Sequence, residues 1–185
     1  VIPISSVTTT GAQTILGTQT LPRYADGKGV RAYITPSVVM GAATPTVQLS
    51  YTNTSSVAGR LTPASPSLPI CNTAAPVGSI VYAGTGAGKY GPFIPMAAGD
   101  QGILSIQSVN LSASYVSGCL NIVLCKPLLT LPITTVGVAS ERDLVNQLPS
   151  MPRVFDGANL QWLMYAGAAT PVNSAFYGSL DTAWG

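Results

Sequence analysis

A chain of 185 residues is long enough to bury one full core without metals or disulfides. Only 8% of its residues are charged and 46% are apolar, with a net charge of +2. It therefore lacks the basic excess that marks a nucleic-acid or anionic-membrane partner. There is no histidine, which removes the commonest general base, the Ser-His-Asp triad and the usual zinc ligand.

In chain order, residues 1–20 carry Ser, Thr and scattered Ile, Val and Leu with no charge. They read as an extended N-terminal arm, and residues 21–185 as a single β-sandwich domain. Val1, Ile2, Ile4, Ile15 and Leu16 are the arm residues expected to touch neighbouring subunits. Asp26-Gly27 marks a turn. Residues 30–40 form a strand-like run broken by Pro36, and proline demotes a strand to an edge or a bulge. Residues 46–52 alternate, with Val47, Leu49 and Tyr51 on one side. A loop then ends at Gly59-Arg60, and residues 61–76 hold four prolines and read as a surface loop. Residues 79–82 read as a short strand, 83–95 as a glycine-rich aromatic stretch, and Gly99-Asp100 as a turn.

Residues 103–129 are read as a β-hairpin around which the rest is arranged. Val109, Leu111, Ala113 and Tyr115 alternate with polar residues, as on a strand with one wet face. Ser117-Gly118 supplies the turn. The return strand has Leu120, Ile122, Val123 and Leu124, apolar on both faces, and belongs in the middle of a sheet covered twice. After a kinked apolar run at 128–133, Ser140 and Asp143 predict a capped short helix over 140–147. Asp156-Gly157 is a second turn, and residues 159–165, with Leu160, Trp162 and Met164 alternating, predict a last strand. Short strands, one short helix and frequent turns describe an all-β fold, an antiparallel β-sandwich of jelly-roll-like kind.

The three cysteines, Cys71, Cys119 and Cys125, show no CxxC spacing. Cys119 and Cys125 on one strand are too far apart to bridge, which points to reduced thiols and assembly in a reducing cytoplasm. No signal peptide is read, and a chain opening at Val1 points to missing leading residues. No window holds the continuous apolar run of a bilayer helix. Residues 40–45 (MGAATP) and 166–171 (AGAATP) nearly match and read as two loops of similar composition.

Four of the six carboxylates, Asp26, Asp100, Asp143 and Asp156, have a turn or cap to make before any chemistry. No catalytic set, metal set or cofactor is expected. Gly84 to Lys89 imitates a phosphate loop, but the first glycine falls one residue short and Gly91-Pro92 blocks the helix the anion site needs. The large rings, among them Tyr90, Phe93, Phe176, Tyr177 and Trp184, are expected in core packing or subunit contact.

Several stretches carry a resemblance. They are Asp26-Gly27 with residues 29–33 (GVRAY), residues 50–53 (SYTN) with 58–60 (AGR), and Tyr90-Gly91-Pro92-Phe93. Residues 124–128 (LCKPL), 141–144 (ERDL), Leu180-Asp181 and 183–185 (AWG) continue it. These resemble virion structural proteins of tailed bacteriophages, the capsid decoration or cement subunits. The resemblance implies a homo-oligomeric virion component that binds other virion proteins, the major capsid protein or neighbouring copies, and locks a shell. Composition points the same way, because a surface so poor in charge suits a subunit buried among neighbours. A neck or tail subunit and a carbohydrate-binding sandwich module are the rival readings.

Overall fold

A computed structural model describes residues 2–4, 11–14, 21–41, 43, 45–63, 76–80, 91–135, 137–143, 146, 152–165 and 175–182. The chain is all-β, and its described residues form two antiparallel sheets. The strands are β1 (Ile2–Ile4), β2 (Gly11–Thr14), β3 (Arg31–Val38), β4 (Val47–Asn53), β5 (Arg60–Leu61), β6 (Ile103–Leu111) and β7 (Cys119–Cys125). One sheet has the order β1-β7-β3 and the other β2-β6-β4-β5.

Alternation fixes which side chains meet. In β4, Val47, Leu49, Tyr51 and Asn53 are buried and the residues between them are half-exposed, as the period of a strand requires. From the other sheet, Ala32, Ile34, Leu120 and Ile122 join Leu49, Tyr51, Ile106 and Val109 in one apolar cluster. The two sheets thus share a core. β7 is the central strand of its sheet, which accounts for its apolar residues on both faces. Leu120 and Ile122 face the shared core, and Val123, also buried, follows Ile122 and faces away.

β3 behaves as Pro36 demands. Among the described residues it pairs only with β7, and its register slips between Pro36 and Val38. Its free edge is partly covered, because Ile94 N–H donates to the Ala32 carbonyl and Gly78 N–H to the Pro36 carbonyl. β6 carries two irregularities against β4. Gln107, the extra residue in one of them, accepts from Ser50 Oγ at 3.0 Å and from Gly59 N–H at 2.9 Å, and donates to Thr52 Oγ1. The bulge thereby aims a polar side chain across the outer face onto the β4–β5 connection.

The hairpin expected at 103–129 does not form. β6 and β7 lie in different sheets, because both edges of β6 are already taken by β2 and β4. Residues 112–118 form an arch between the sheets. Tyr115, fully buried, plugs the end of the core, and Gly41 N–H donates to the Ser117 carbonyl. The helix expected at 140–147 is corrected at its start, and residues 144, 145 and 147 lie outside the described residues. Residues 140–143 are irregular, and Asn146 is helical. Its N–H is accepted by Asp143 Oδ1 at 3.2 Å, so Asp143, not Ser140, holds the cap position. Ser79 and Ile80 are not in a strand, nor are residues 159–165.

The arm is not separate in its described parts. Ile2, Pro3 and Ile4 pair with Ile122, Asn121 and Leu120. Residues 11–14 pair with 108–111. Each sheet gains an edge strand from the first residues of its own chain, where an arm reaching to neighbours was expected. Val1, Ile15, Leu16, Cys71, Tyr90, Trp184, the glycine run at 84–89 and the second near-repeat at 166–171 lie outside the described residues.

Candidate interaction surface

Two places gather chemistry-bearing side chains. The first is a carboxylate pinned at the β4–β5 end of the molecule. Asp100, placed by the Gly99 turn, accepts from Tyr51 Oη at 2.5 Å, Asn53 Nδ2 at 2.8 Å and Arg60 Nε at 3.0 Å. Its side chain is 6% exposed. Burial pushes its pKa up, but the hydrogen bonds from Tyr51, Arg60 and Asn53 outweigh that and hold it below the ordinary carboxylate value. Burial, together with the bond to Asp100, pushes the Tyr51 phenol up to about 12. Tyr51 Oη also accepts from Ala97 N–H. Asn53 Oδ1 accepts from Ser55 N–H and Val57 N–H. The donors to Asp100 come from β4 and β5, so the cluster clamps the Gly99 turn to those strands. Among the described residues no group of three or more His, Cys, Asp or Glu converges as a metal set.

The second place is the outer face of the β3–β7 sheet, crossed by residues 153–165. Tyr24 is its hub. Its Oη donates to the Arg153 carbonyl at 2.8 Å, and Phe155 meets its ring edge-on, centroids 5.0 Å apart. Lys126 Nζ lies 4.2 Å from the Tyr24 centroid and Arg153 Cζ 5.0 Å from that of Phe155, both within cation–π range. Arg23 donates to the carbonyls of Asp156 and Gly157 at 2.9 and 2.8 Å. Further along, Tyr33 Oη donates to Gln161 Oε1 at 2.8 Å. Burial, with a smaller contribution from Cys125, raises the Tyr33 phenol. Burial also pushes the Cys125 thiol up to about 11, which keeps it protonated and unreactive at neutral pH.

This crossing segment carries apolar side chains that stand exposed among the described residues. Leu160 is 44% exposed, Trp162 68% and Met164 56%, while Tyr177 further on is 95% exposed. Tyr165, Phe176 and Leu180 are also exposed. No backbone–backbone hydrogen bond joins residues 159–165 to the rest of the described chain. The alternation read as a strand is present, but it finds no sheet.

Of the residues named from sequence, Phe176 and Tyr177 stand out in solvent. Phe93 is half-buried beside the core residue Ile94. Ile2 and Ile4 contribute backbone to β1. The structure does not bring them together with the Tyr24 corner. Sequence reading missed Tyr24, Lys126, Arg153 and the exposed stripe at 160–164. The available signal was a charge count: Gly157 through Leu180 contains no Asp, Glu, Lys or Arg, which is unusual for an exposed segment.

Among the described residues, no helix is long and apolar enough to cross a membrane. No family model, curated protein or solved structure matches the chain.

Proposed function

We propose that this chain is a structural subunit of a virus particle, of the capsid decoration or cement kind. It would stabilise a shell through contacts with other virion proteins. The observation that carries this reading is the uncovered apolar surface on the segment after residue 152, Trp162 and Tyr177 above all. Large rings present about 150–250 Å² each, and covering apolar area yields roughly 25 cal/mol per Å². A lone monomer exposing such a stripe, with 8% charged residues, has little to keep it from associating. Repetition around a symmetric shell turns modest contacts into lasting attachment. The resemblance to phage shell-associated subunits supports the same assignment.

The test is co-sedimentation of purified chain with the virus particle it co-purifies with, after its own copies have been stripped. The triple substitution Leu160→Ser, Trp162→Ser, Met164→Ser changes exposed side chains, where the cost to folding is small. It is expected to lower particle occupancy at least tenfold. Full occupancy by the triple variant contradicts the proposal. Glycan binding by the isolated chain that disappears in Trp162→Ala would contradict it too, in favour of a sugar-binding module.

A further inference from the structure

The apolar stripe begins beside a concentration of positive charge. Arg23, Lys126 and Arg153 meet around Tyr24 and Phe155. Arg31 lies in register with Cys125, next to Lys126 in sequence. Half of the protein's eight Lys and Arg therefore sit at one corner. None of these four is in an ion pair, since the salt bridge among the described residues is Arg60–Asp100, on the other sheet. Arg23 is spent on carbonyls and Lys126 and Arg153 on ring faces. Asp156, whose carbonyl Arg23 binds, and Asp26, three residues from Arg23, are the acids beside this corner. Neither forms an ion pair with the four cations, which outnumber them two to one.

We infer that this corner and the adjoining stripe dock an acidic, partly apolar segment of a different protein. That partner sets carboxylates against Arg23, Arg31, Lys126 and Arg153 and apolar side chains against Leu160, Trp162 and Met164. The inference rests on the reading of the chain as an assembly subunit, and adds the chemistry of the neighbour. A second copy of the chain does not fit the corner. Of its six carboxylates, Asp100 is paired with Arg60, Glu141 and Asp143 flank Arg142, Asp26 and Asp156 lie beside the basic corner itself, and Asp181 is the single charged residue of residues 157–185. Nucleic acid does not fit either. Phosphate binding calls for cations spread along a path, and here they end where a charge-free apolar segment begins. An apolar centre with Arg and aromatic residues at its margin is the anatomy of a protein interface.

The experiment uses the full chain and three probes: a twelve-residue Glu/Leu peptide, the same peptide with Lys for every Glu, and a twenty-nucleotide single-stranded DNA. Binding is followed by NMR through the Trp162 indole N–H. The Glu/Leu peptide is expected to bind, more weakly as salt rises, and at least tenfold more weakly to the Lys126→Gln, Arg153→Gln double variant. Arg142→Gln, a charge change elsewhere, should bind as wild type. A peptide that fails to bind, equal affinity in the double variant, or tighter binding of the DNA or of the Lys peptide overturns the inference. On particles the two readings separate. Full occupancy by the double variant removes the acidic partner and leaves the structural role standing. If wild type itself does not occupy particles, the structural role falls, and the peptide titration still decides the corner.

Discussion

Asp100→Ala is expected to destabilise the fold by about 2–4 kcal/mol, a figure set by the loss of three donors' partner and tempered by the partial exposure of Arg60. Tyr51 Oη and Asn53 Nδ2 would be left in a buried site with no acceptor, and an unmet buried donor costs more than the bond itself contributes. For a chain of this size that corresponds to a fall in Tm of roughly 5–15 °C. The same cluster sets a pH dependence whose two limbs have opposite sign. Asp100 is lowered from 3.8, so its contribution is present above that value and is lost as pH falls through the lower folded value. Tyr51 is raised from 10.0 to about 12, so its contribution is present below pH 10 and is lost as pH climbs through that interval. Urea unfolding followed from about pH 3 to 11 should show both limbs, with Asp100→Asn flattening the acid one. An acid limb unchanged in that variant would show that the pin contributes nothing.

Gly102→Ala is expected to cost about 2–4 kcal/mol, the range of backbone-against-backbone overpacking. Gly102 forms an isolated bridge with Lys28, and Gly29 N–H donates to the Gln101 carbonyl. A methyl group at Gly102 would run into the carbonyl oxygen of Gly27, and backbone there has no flexible end to swing away. Gly27 itself is held at φ +68°, with Leu104 packed against it, so the turn cannot retreat without strain. Chemical denaturation of the single variant measures the effect. A change below about 0.5 kcal/mol would mean that the Gly27 turn and the start of β6 separate freely.

Much of the core was legible in the sequence. β4 shows in Val47, Leu49 and Tyr51, which alternate without interruption, and the edge character of β3 shows in Pro36. The turns at Asp26-Gly27, Gly99-Asp100 and Asp156-Gly157 show because their glycines adopt positive φ. What could not be read was pairing. Ile103–Leu111 and Cys119–Cys125 look the same whether they join each other or join separate sheets, because alternation reports a buried face and not a neighbour. The distinguishing feature was Tyr115, a large ring in a connection that a tight turn would leave in solvent. Residues 159–165 misled for a related reason. Leu160, Trp162 and Met164 have the spacing of a half-buried strand, yet the face they define points away from the core. The Tyr24 corner was invisible because it joins Tyr24 to Lys126, Arg153 and Phe155, all far away along the chain.

The segment at 159–165 also offers the most direct measurement. In the free chain its amides lack backbone partners among the described residues, and hydrogen–deuterium exchange there should be fast. In the assembled particle, a neighbouring subunit lying over Leu160, Trp162 and Met164 should slow that exchange at least tenfold, while β4 and β7 stay as protected as before. Exchange at 159–165 that is equally fast on and off the particle would contradict the proposal that this stripe is what holds the chain to its neighbours.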